Sequence, residues 1–159
     1  MRERSDSVVA RKNPPAVAII VLNWNGWQDT IECLESLQHL NYPYYQVILV
    51  DNDSTDGSVN KIKEWCMGTI PINTPLVKFS AELKPIAYVE YDKVSIQKVL
   101  DDSEDSQPFR KLIIIQTGQN MGLAGGSNVG INYALKEKYK YIWLLNNDTV
   151  IDKDALFEM

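Results

Sequence analysis

The chain has 159 residues, of which 45% are hydrophobic and 23% charged, a composition typical of a globular domain and not of a disordered or collagen-like chain. Its 16 basic and 21 acidic residues give a formal net charge of −5 without any cluster of lysine and arginine, which argues against nucleic acid as a partner. No apolar run approaches the ~20 residues of a membrane-spanning helix, so we expect a cytoplasmic protein with no transmembrane segment.

Residues 1–15 are polar and lack the apolar core of a secretory signal, and they predict a disordered tail before one domain at residues 16–159. Four short apolar runs in that domain predict buried strands. Their continuous apolar character is typical of a parallel sheet covered on both faces. The runs are Ala16–Leu22, Val47–Val50, Leu112–Ile115 and Tyr141–Leu145.

Helical patterns lie between these runs. After the first run an apolar stripe repeats at helical spacing, and Asn25 is placed to cap that helix. The stripe consists of Trp27, Ile31, Leu34 and Leu37. The other two patterns span Val59–Cys66 and Asn128–Lys138. This alternation predicts an α/β fold, a doubly wound, mostly parallel Rossmann-like sheet with helices on both faces.

The segment from about residue 68 to 107 interrupts this rhythm. It is rich in proline and ends in an acidic run at residues 101–105, so we interpret it as an insertion. Within it, Pro85–Tyr91 is compatible either with an additional edge strand or with irregular structure. The same two alternatives hold for a short helix at Val94–Leu100.

A small polar cluster follows each predicted strand, at residues 23–26, 51–54, 117–120 and 146–149. Parallel strands bring all four clusters to one edge of the sheet, where open α/β folds bind their ligands. Turn formation is the alternative explanation for any single cluster. Asp51 can accept hydrogen bonds from a base or ribose, or it can cap the next helix. Asn52 and Ser54 have the same two alternatives.

Two further features point to a phosphorylated ligand. Three glycines within Met121–Asn128 let backbone amides approach a phosphate, although the pattern is neither G-x-G-x-x-G nor Walker A. If the last strand continues past Asn146, the oxygens of Asn146 and Asp148 lie on one side, where they suit Mg²⁺ or Mn²⁺ bridging to a diphosphate.

The remaining candidate residues have simpler interpretations. Cys33 and Cys66 are expected to be buried, reduced thiols. His39 is expected to be solvated and without partners. Trp24 lies within the first polar cluster and either stacks on a ligand or does not contact it. The tryptophans expected to pack in the core are Trp27, Trp65 and Trp143.

The sequence resembles the inverting family 2 glycosyltransferases, in particular the rhamnosyltransferase-like branch. The matching stretches are residues 21–26, 50–58, 120–128 and 144–149. The resemblance implies an A-type glycosyltransferase fold and a nucleotide-diphosphate sugar as donor. It places Asn23 and Asn25 in the nucleoside pocket, Asp51 at the base or ribose, and Asn120 with the glycine loop beside the donor. The residues assigned to nucleotide-sugar binding are Asn23, Asn25, Asp51, Asn52, Ser54, Asn120, Gly122, Gly126, Asn128, Asn147 and Asp148.

The stretch Asn146–Asp148 occupies the position of the family's D-x-D metal motif, with Asn in place of the first Asp. The resemblance therefore implies Mg²⁺ or Mn²⁺ held mainly by Asp148, with Asn146 as a second ligand. The implied reaction transfers the sugar to an acceptor hydroxyl with inversion, as in polysaccharide or glycolipid assembly.

The family's acceptor half, which carries the catalytic base, is expected beyond Met159, so we assign no catalytic residue in this chain. We expect the chain to be the donor-binding part of an enzyme that is peripheral to a membrane in its full length. Exposed apolar surface would then favour a homo-oligomer. The alternatives are a non-catalytic nucleotide-sugar-binding module and, with less support, a dinucleotide-binding oxidoreductase.

Overall fold

The computed structural model describes residues 14–101 and 112–159. Apart from Pro14 and Pro15, the predicted tail lies outside the described residues, as does the end of the predicted insertion. The strands are β1 (Val17–Asn23), β2 (Tyr45–Asp51), β3 (Tyr88–Tyr91), β4 (Leu112–Gln116) and β5 (Tyr141–Asn146). The helices are α1 (Trp27–Leu37), α2 (Ser58–Met67), α3 (Lys93–Asp101), α4 (Gly122–Lys136) and the short α5 (Ala155–Glu158), with a 3₁₀ turn at Ala81–Leu83.

Within these residues the strands form one sheet in the order β3-β4-β2-β1-β5, and every pair is parallel. The predicted fold class is therefore confirmed. Asn23 and Asp51, which the sequence placed after their strands, are the last residues of β1 and β2 and lie opposite each other in register. Parallel pairing brings the carboxyl ends of all strands to one edge of the sheet.

Two apolar layers cover the two faces of the sheet, because neighbouring side chains along a strand point to opposite sides. Ile19 and Leu49 lie in the cluster with α1 and α2, while Ile20 and Val50 lie in the cluster with α3 and α4. The predicted stripe of α1 is confirmed, since its three aliphatic residues are fully buried. Neither described range contains a helix long and apolar enough to cross a bilayer.

Part of the segment interpreted as an insertion extends the sheet. Its strand and helix are confirmed as β3, which pairs with β4 at the edge of the sheet, and α3. The stretch before β3 packs on α1 and α2 through a buried ion pair between Lys84 Nζ and Glu35 Oε2, 2.8 Å apart. Trp65 Nε1 donates to the same carboxylate oxygen at 2.6 Å, and the backbone N–H of Ser80 donates to the other at 2.9 Å. We call Glu35, Trp65, Ser80 and Lys84 the closed cluster.

Helix α4 begins at Gly122, so the predicted start at Asn128 is wrong. The glycine-rich stretch is the first part of the helix and not a turn before it. Gly126 and Gly130 lie against the sheet, where an added Cβ would come within 2.6 Å of Leu22 Cδ1 and 2.8 Å of Ile20 Cγ2. Glycine weakens a helix locally, but here the close packing against β1 and β2 outweighs that propensity.

Two local predictions are corrected by hydrogen bonding. The N-cap of α1 is Gly26 and not Asn25, because the Asn25 carboxamide bonds to a neighbouring loop instead. His39 is exposed as expected, yet it has a partner: its Nε2 lies 2.9 Å from Ser80 Oγ. Both departures depend on loops that are distant in sequence, which local pattern does not reveal.

Candidate functional site

The candidate site lies at the carboxyl edge of the sheet, which we define as the residues that end or follow β1, β2, β4 and β5. The four predicted polar clusters all lie there. Backbone hydrogen bonds join the first three of them, from Asn52 N to Asn23 O at 2.8 Å and from Thr117 N to Asp51 O at 3.0 Å. The shared edge is thus a continuous surface built from parallel strand ends, as open α/β sheets use for ligands.

Asn23 is fully buried, and its carboxamide is held entirely by neighbouring side chains. Its Nδ2 donates to Asp51 Oδ1 at 2.7 Å and to Ser54 Oγ at 3.0 Å. Its Oδ1 accepts a hydrogen bond from Thr30 Oγ1 at 2.7 Å. Asn23 therefore lies beneath the edge surface and acts on it by fixing Asp51 and Ser54.

Asp51 is also buried, and each of its carboxylate oxygens accepts a hydrogen bond. Oδ1 accepts from Asn23, and Oδ2 accepts from the backbone N–H of Ser54 at 3.0 Å. The helix-capping alternative is wrong for Asp51, because α2 begins only at Ser58 after Gly57 and the Ser58 N–H is bonded by Asp56 Oδ1 at 3.0 Å. A carboxylate has about four acceptor positions, so Asp51 retains capacity for a ligand donor.

Ser54 and Asn25 tie the loop after β1 to the loop after β2, and Ser54 does not cap α2. The Ser54 hydroxyl oxygen accepts from Asn23 Nδ2 and from the backbone N–H of Asn25, the latter at 2.9 Å. Because both of these contacts use acceptor positions, the Ser54 hydroxyl proton remains able to donate. Asn25 is exposed with φ of 51°, and its Oδ1 accepts from the backbone N–H of Thr55 at 2.7 Å.

Asn52 fixes the start of α4. Its Oδ1 accepts from the Met121 backbone N–H at 2.9 Å, and its Nδ2 donates to Asn120 Oδ1 at 3.1 Å and to Gly122 O at 3.2 Å. Asn52 is 3% exposed, so this arrangement and not helix capping accounts for its side chain. Gly122 adopts a φ of 70°, which the turn into the helix requires and which favours glycine.

The assigned donor residues on α4 and just before it differ in exposure. Gly126 is buried against Leu22 and Asn52, so packing explains it without any ligand. Asn120 and Asn128 are exposed at the edge and on the helix, respectively. Trp24 is 57% exposed, so it is not a core residue, and stacking on a ligand stays a prediction.

The turn after β5 contains the residues predicted to bind metal. The strand ends at Asn146, and Asn147 and Asp148 form a turn, so the premise that the strand carries Asn146 and Asp148 to one side is wrong. Asn147 Nδ2 donates to Thr30 Oγ1 at 3.0 Å. Asn146 lines a cavity of about 190 Å³ with Leu22.

The turn after β5 is compatible with a divalent cation that is held by one carboxylate together with substrate phosphates and water. The described ranges hold no group of three or more His, Cys, Asp or Glu side chains suited to enclosing a metal. Asp148 is exposed and offers a single carboxylate. Mg²⁺ and similar ions are often held by one or two carboxylates together with substrate phosphates and water, and the turn fits that type of site.

Cys33 lies behind this turn, where its Sγ is 3.8 Å from Asn146 O. Burial, and to a smaller extent the charge of Asp148, raise the pKa of Cys33 to about 12. The thiol therefore stays protonated at neutral pH. Both cysteines are free and buried, as the sequence predicted.

Sequence reasoning missed Thr30. It is fully buried in the first turn of α1 and bridges Asn23 and Asn147. A signal was present, because Thr30 is three residues after Trp27 and directly before Ile31, on the buried side of the helix. A hydroxyl at such a position requires a polar partner.

Comparison with known proteins supports one fold family. The family model described as Glycosyl transferase family 2 matches residues 18–78, which include all of α1, β2 and α2 and all of β1 except Val17. No curated protein matches the sequence.

Two solved structures are similar to nearly the whole chain. S. aureus TarS 1–349 in complex with UDP is 18% identical with a TM-score of 0.56, and the match covers 90% of this chain and 30% of that one. The mannosyltransferase PcManGT from Pyrobaculum calidifontis, in complex with GDP-Man and Mn²⁺, is 20% identical with a TM-score of 0.58, covering 89% of this chain and 30% of that one. The chain thus has the A-type glycosyltransferase fold and spans less than a third of the length of these structures.

Proposed function

We propose that this chain binds a nucleotide-diphosphate sugar at the carboxyl edge and forms the donor-binding part of an inverting, metal-assisted glycosyltransferase of family 2. The family match over residues 18–78 supports this, because it contains Asn23, Asp51 and Ser54. The fold shared with TarS bound to UDP and with a mannosyltransferase bound to GDP-Man gives independent support.

The observation that carries the proposal is the preorganised carboxylate of Asp51. It is 2% exposed and held by Asn23 and the Ser54 backbone, with the Ser54 hydroxyl beside it. An acceptor next to a donor suits a ligand edge that presents an N–H or O–H beside an oxygen or nitrogen acceptor. A nucleobase or a ribose has such an edge. In this proposal Asp51 and Ser54 contact the nucleoside, and Asn23 fixes both of them.

The diphosphate is assigned to the space between the start of α4 and the turn after β5. The amino end of a helix favours anions, and Asn52 holds this one in place through Asn120 and Gly122. Asp148 is the residue that would hold Mg²⁺ or Mn²⁺ there. When bound, the cation supplies positive charge to the departing diphosphate.

The proposal gives this chain the donor side of the reaction. The acceptor, a glycan or glycolipid in polysaccharide or glycolipid assembly, belongs to the acceptor half that the resemblance implies. The carboxylate that deprotonates the acceptor hydroxyl belongs there too. A non-catalytic module that binds the same donor differs only in lacking turnover, and a transfer assay with the whole protein separates the two.

The direct test is calorimetry of the chain with NAD and with UDP-, GDP- and dTDP-sugars, each with Mn²⁺ and with EDTA. We expect at least one donor to bind and EDTA to weaken it by roughly tenfold or more. Asp148→Ala should remove the metal-dependent part. The control Asp152→Ala removes another exposed carboxylate four residues away and should behave as wild type.

Each contrary outcome contradicts a defined part of the proposal. Binding of NAD and of no nucleotide-sugar would replace it with the oxidoreductase alternative. Equal donor affinity in Mn²⁺ and in EDTA would show that donor binding needs no metal, and Asp148 would then be only a turn residue.

A further inference from the structure

We propose that Thr30 is a positioning residue that couples the nucleoside end of the donor site to its diphosphate end. This inference rests on the proposed function and deepens it. Thr30 is fully buried, and its hydroxyl is engaged by the side chains of Asn23 and Asn147, so we assign it no direct ligand contact. It acts through Asn23, which holds Asp51, and through Asn147, which precedes Asp148 in the turn after β5.

The hydrogen bonds through Thr30 run in one direction. An amide nitrogen can only donate, so Asn147 Nδ2 donates to Thr30 Oγ1 at 3.0 Å. The single hydroxyl proton of Thr30 then goes to Asn23 Oδ1 at 2.7 Å. Asn23 Nδ2 is thereby turned toward Asp51 and Ser54, and donates to both.

The Asp51 carboxylate, at the other end of these hydrogen bonds, requires the same orientation of the Asn23 carboxamide. If the Asn23 carboxamide were reversed, its oxygen would face the Asp51 carboxylate, placing two acceptors against each other. Its nitrogen would face Thr30 instead. The hydroxyl of Thr30 and the carboxylate of Asp51 therefore fix the same Asn23 orientation independently, and removal of either one weakens it.

Gly26 makes room for this bridge at the start of α1. A Cβ at Gly26 would lie 3.2 Å from Asn147 Nδ2 and 3.8 Å from Asn23 Oδ1, the two atoms that meet at Thr30. The loop after β1 and the turn after β5 are thus close enough for one side chain to join them. A shift of the turn is transmitted to Asp51 through two side chains, Thr30 and Asn23.

The test compares Thr30→Val, which removes the hydroxyl and keeps the shape, with Thr30→Ser, which keeps the hydroxyl. Tyr45→Phe is the matched control, since it removes one hydroxyl bond, to Leu37 O at 2.8 Å, at the opposite end of β2. The probes are UDP or GDP with Mn²⁺ and the corresponding free nucleoside. We expect Thr30→Val to weaken both by about tenfold and Thr30→Ser by less than about threefold.

A double-mutant cycle separates positioning from a merely structural role. In an Asp51→Ala background, Thr30→Val should cost clearly less nucleoside affinity than in wild type, because only the part of its effect that passes through Ser54 remains. Additive losses would overturn the inference. So would nucleoside affinity in Thr30→Val equal to that of Tyr45→Phe. If wild type binds no nucleotide at all, the proposed function fails first.

If Thr30→Val does not fold, Asn147→Ala tests the same coupling from the diphosphate end. Asn147 is half-buried at the diphosphate end, and its loss removes the donor that sets the direction of the Thr30 hydroxyl. We expect it to weaken binding of the free nucleoside, which has no diphosphate, by about threefold. An unchanged nucleoside affinity in this variant would contradict the coupling.

Discussion

Helix α1 contributes to two buried polar clusters, each of which contains a carboxylate. The clusters differ in the groups that hold this carboxylate. Near its end, Glu35 of the closed cluster pairs with Lys84, whose side chain is 4% exposed, so a positive charge neutralises it inside the protein. At its start, Thr30 supports Asp51 through Asn23, and the groups that hold Asp51 are an amide and a backbone N–H. The two carboxylates are similarly buried but differ in what remains for a ligand.

Both clusters follow the same rule, and in the proposed function one of them serves stability and the other serves binding. In the described part of the chain, no buried side-chain nitrogen or oxygen lacks a hydrogen-bond partner. The closed cluster meets that requirement by pairing the Glu35 carboxylate with the Lys84 ammonium and with two N–H donors. The network around Asp51 meets it with neutral donors, and in the proposed function the Asp51 carboxylate, which has no paired cation, contacts the nucleoside.

The largest effect is expected for Glu35→Ala, in the closed cluster. It leaves the Lys84 ammonium buried without its carboxylate, and we expect a loss of about 3–5 kcal/mol of stability, or roughly 6–20 °C in Tm. Nucleotide affinity at a temperature where the variant is folded should not change. Glu64→Ala is the control, because its ion pair with Lys61 is exposed and worth at most about 1 kcal/mol. A Tm change as small as that of Glu64→Ala would contradict the role of the closed cluster.

Asp51→Ala should give the opposite pattern. Loss of the acceptor leaves a ligand donor unpaired and should cost about 1–3 kcal/mol of nucleoside affinity, or roughly 5- to 150-fold in Kd by calorimetry. Its effect on Tm should be smaller than that of Glu35→Ala. The control Asp53→Asn removes the neighbouring exposed carboxylate and should leave Kd unchanged. A lower Tm with intact nucleoside affinity would make Asp51 a purely structural residue.

A smaller effect is expected for the reaction rates of the two thiols, which can be compared because each region has one cysteine. The pKa of each thiol is raised from an ordinary value of 9.0 to about 12, mainly by burial. The charge of Asp148 adds to the rise at Cys33, and the charge of Lys84 opposes it at Cys66. Folded protein at pH 8 should react slowly with an aromatic disulfide, and unfolded protein quickly. Bound nucleotide should slow Cys33 more than Cys66, and equal protection would contradict the assignment of the site.

The same pKa shifts set a pH dependence. Because the folded-state pKa lies above the unfolded value, the protonated thiols contribute stability that is fully present below pH 9. That contribution should be lost as the pH rises from about 9 toward 12, measured as a fall in Tm. A Cys66→Ala variant compared over the same range reports how much of the fall belongs to the closed cluster.

Much of the site was predictable because it follows from strand ends. Continuous apolar runs predicted parallel strands, and parallel strands necessarily bring Asn23, Asp51 and Asn146 to one edge. The start of α4 was mispredicted because glycine has low helix propensity, and only contact with Leu22 and Ile20 shows why glycine is needed there. The partner of His39 was missed because Ser80 lies in an irregular segment whose path no local pattern predicts.

The sequence by itself determined the fold class, the edge that carries the polar residues, and the identity of the carboxylate at the end of β2. These follow from hydrophobic periodicity and the geometry of parallel strands, which are properties of short segments. Only the tertiary structure decided what each polar side chain does. It placed Asn23 beneath the surface, made Asn52 the support of α4, and joined Thr30 to Asn147, because hydrogen bonds between residues 28 to 117 positions apart depend on how the loops meet in space.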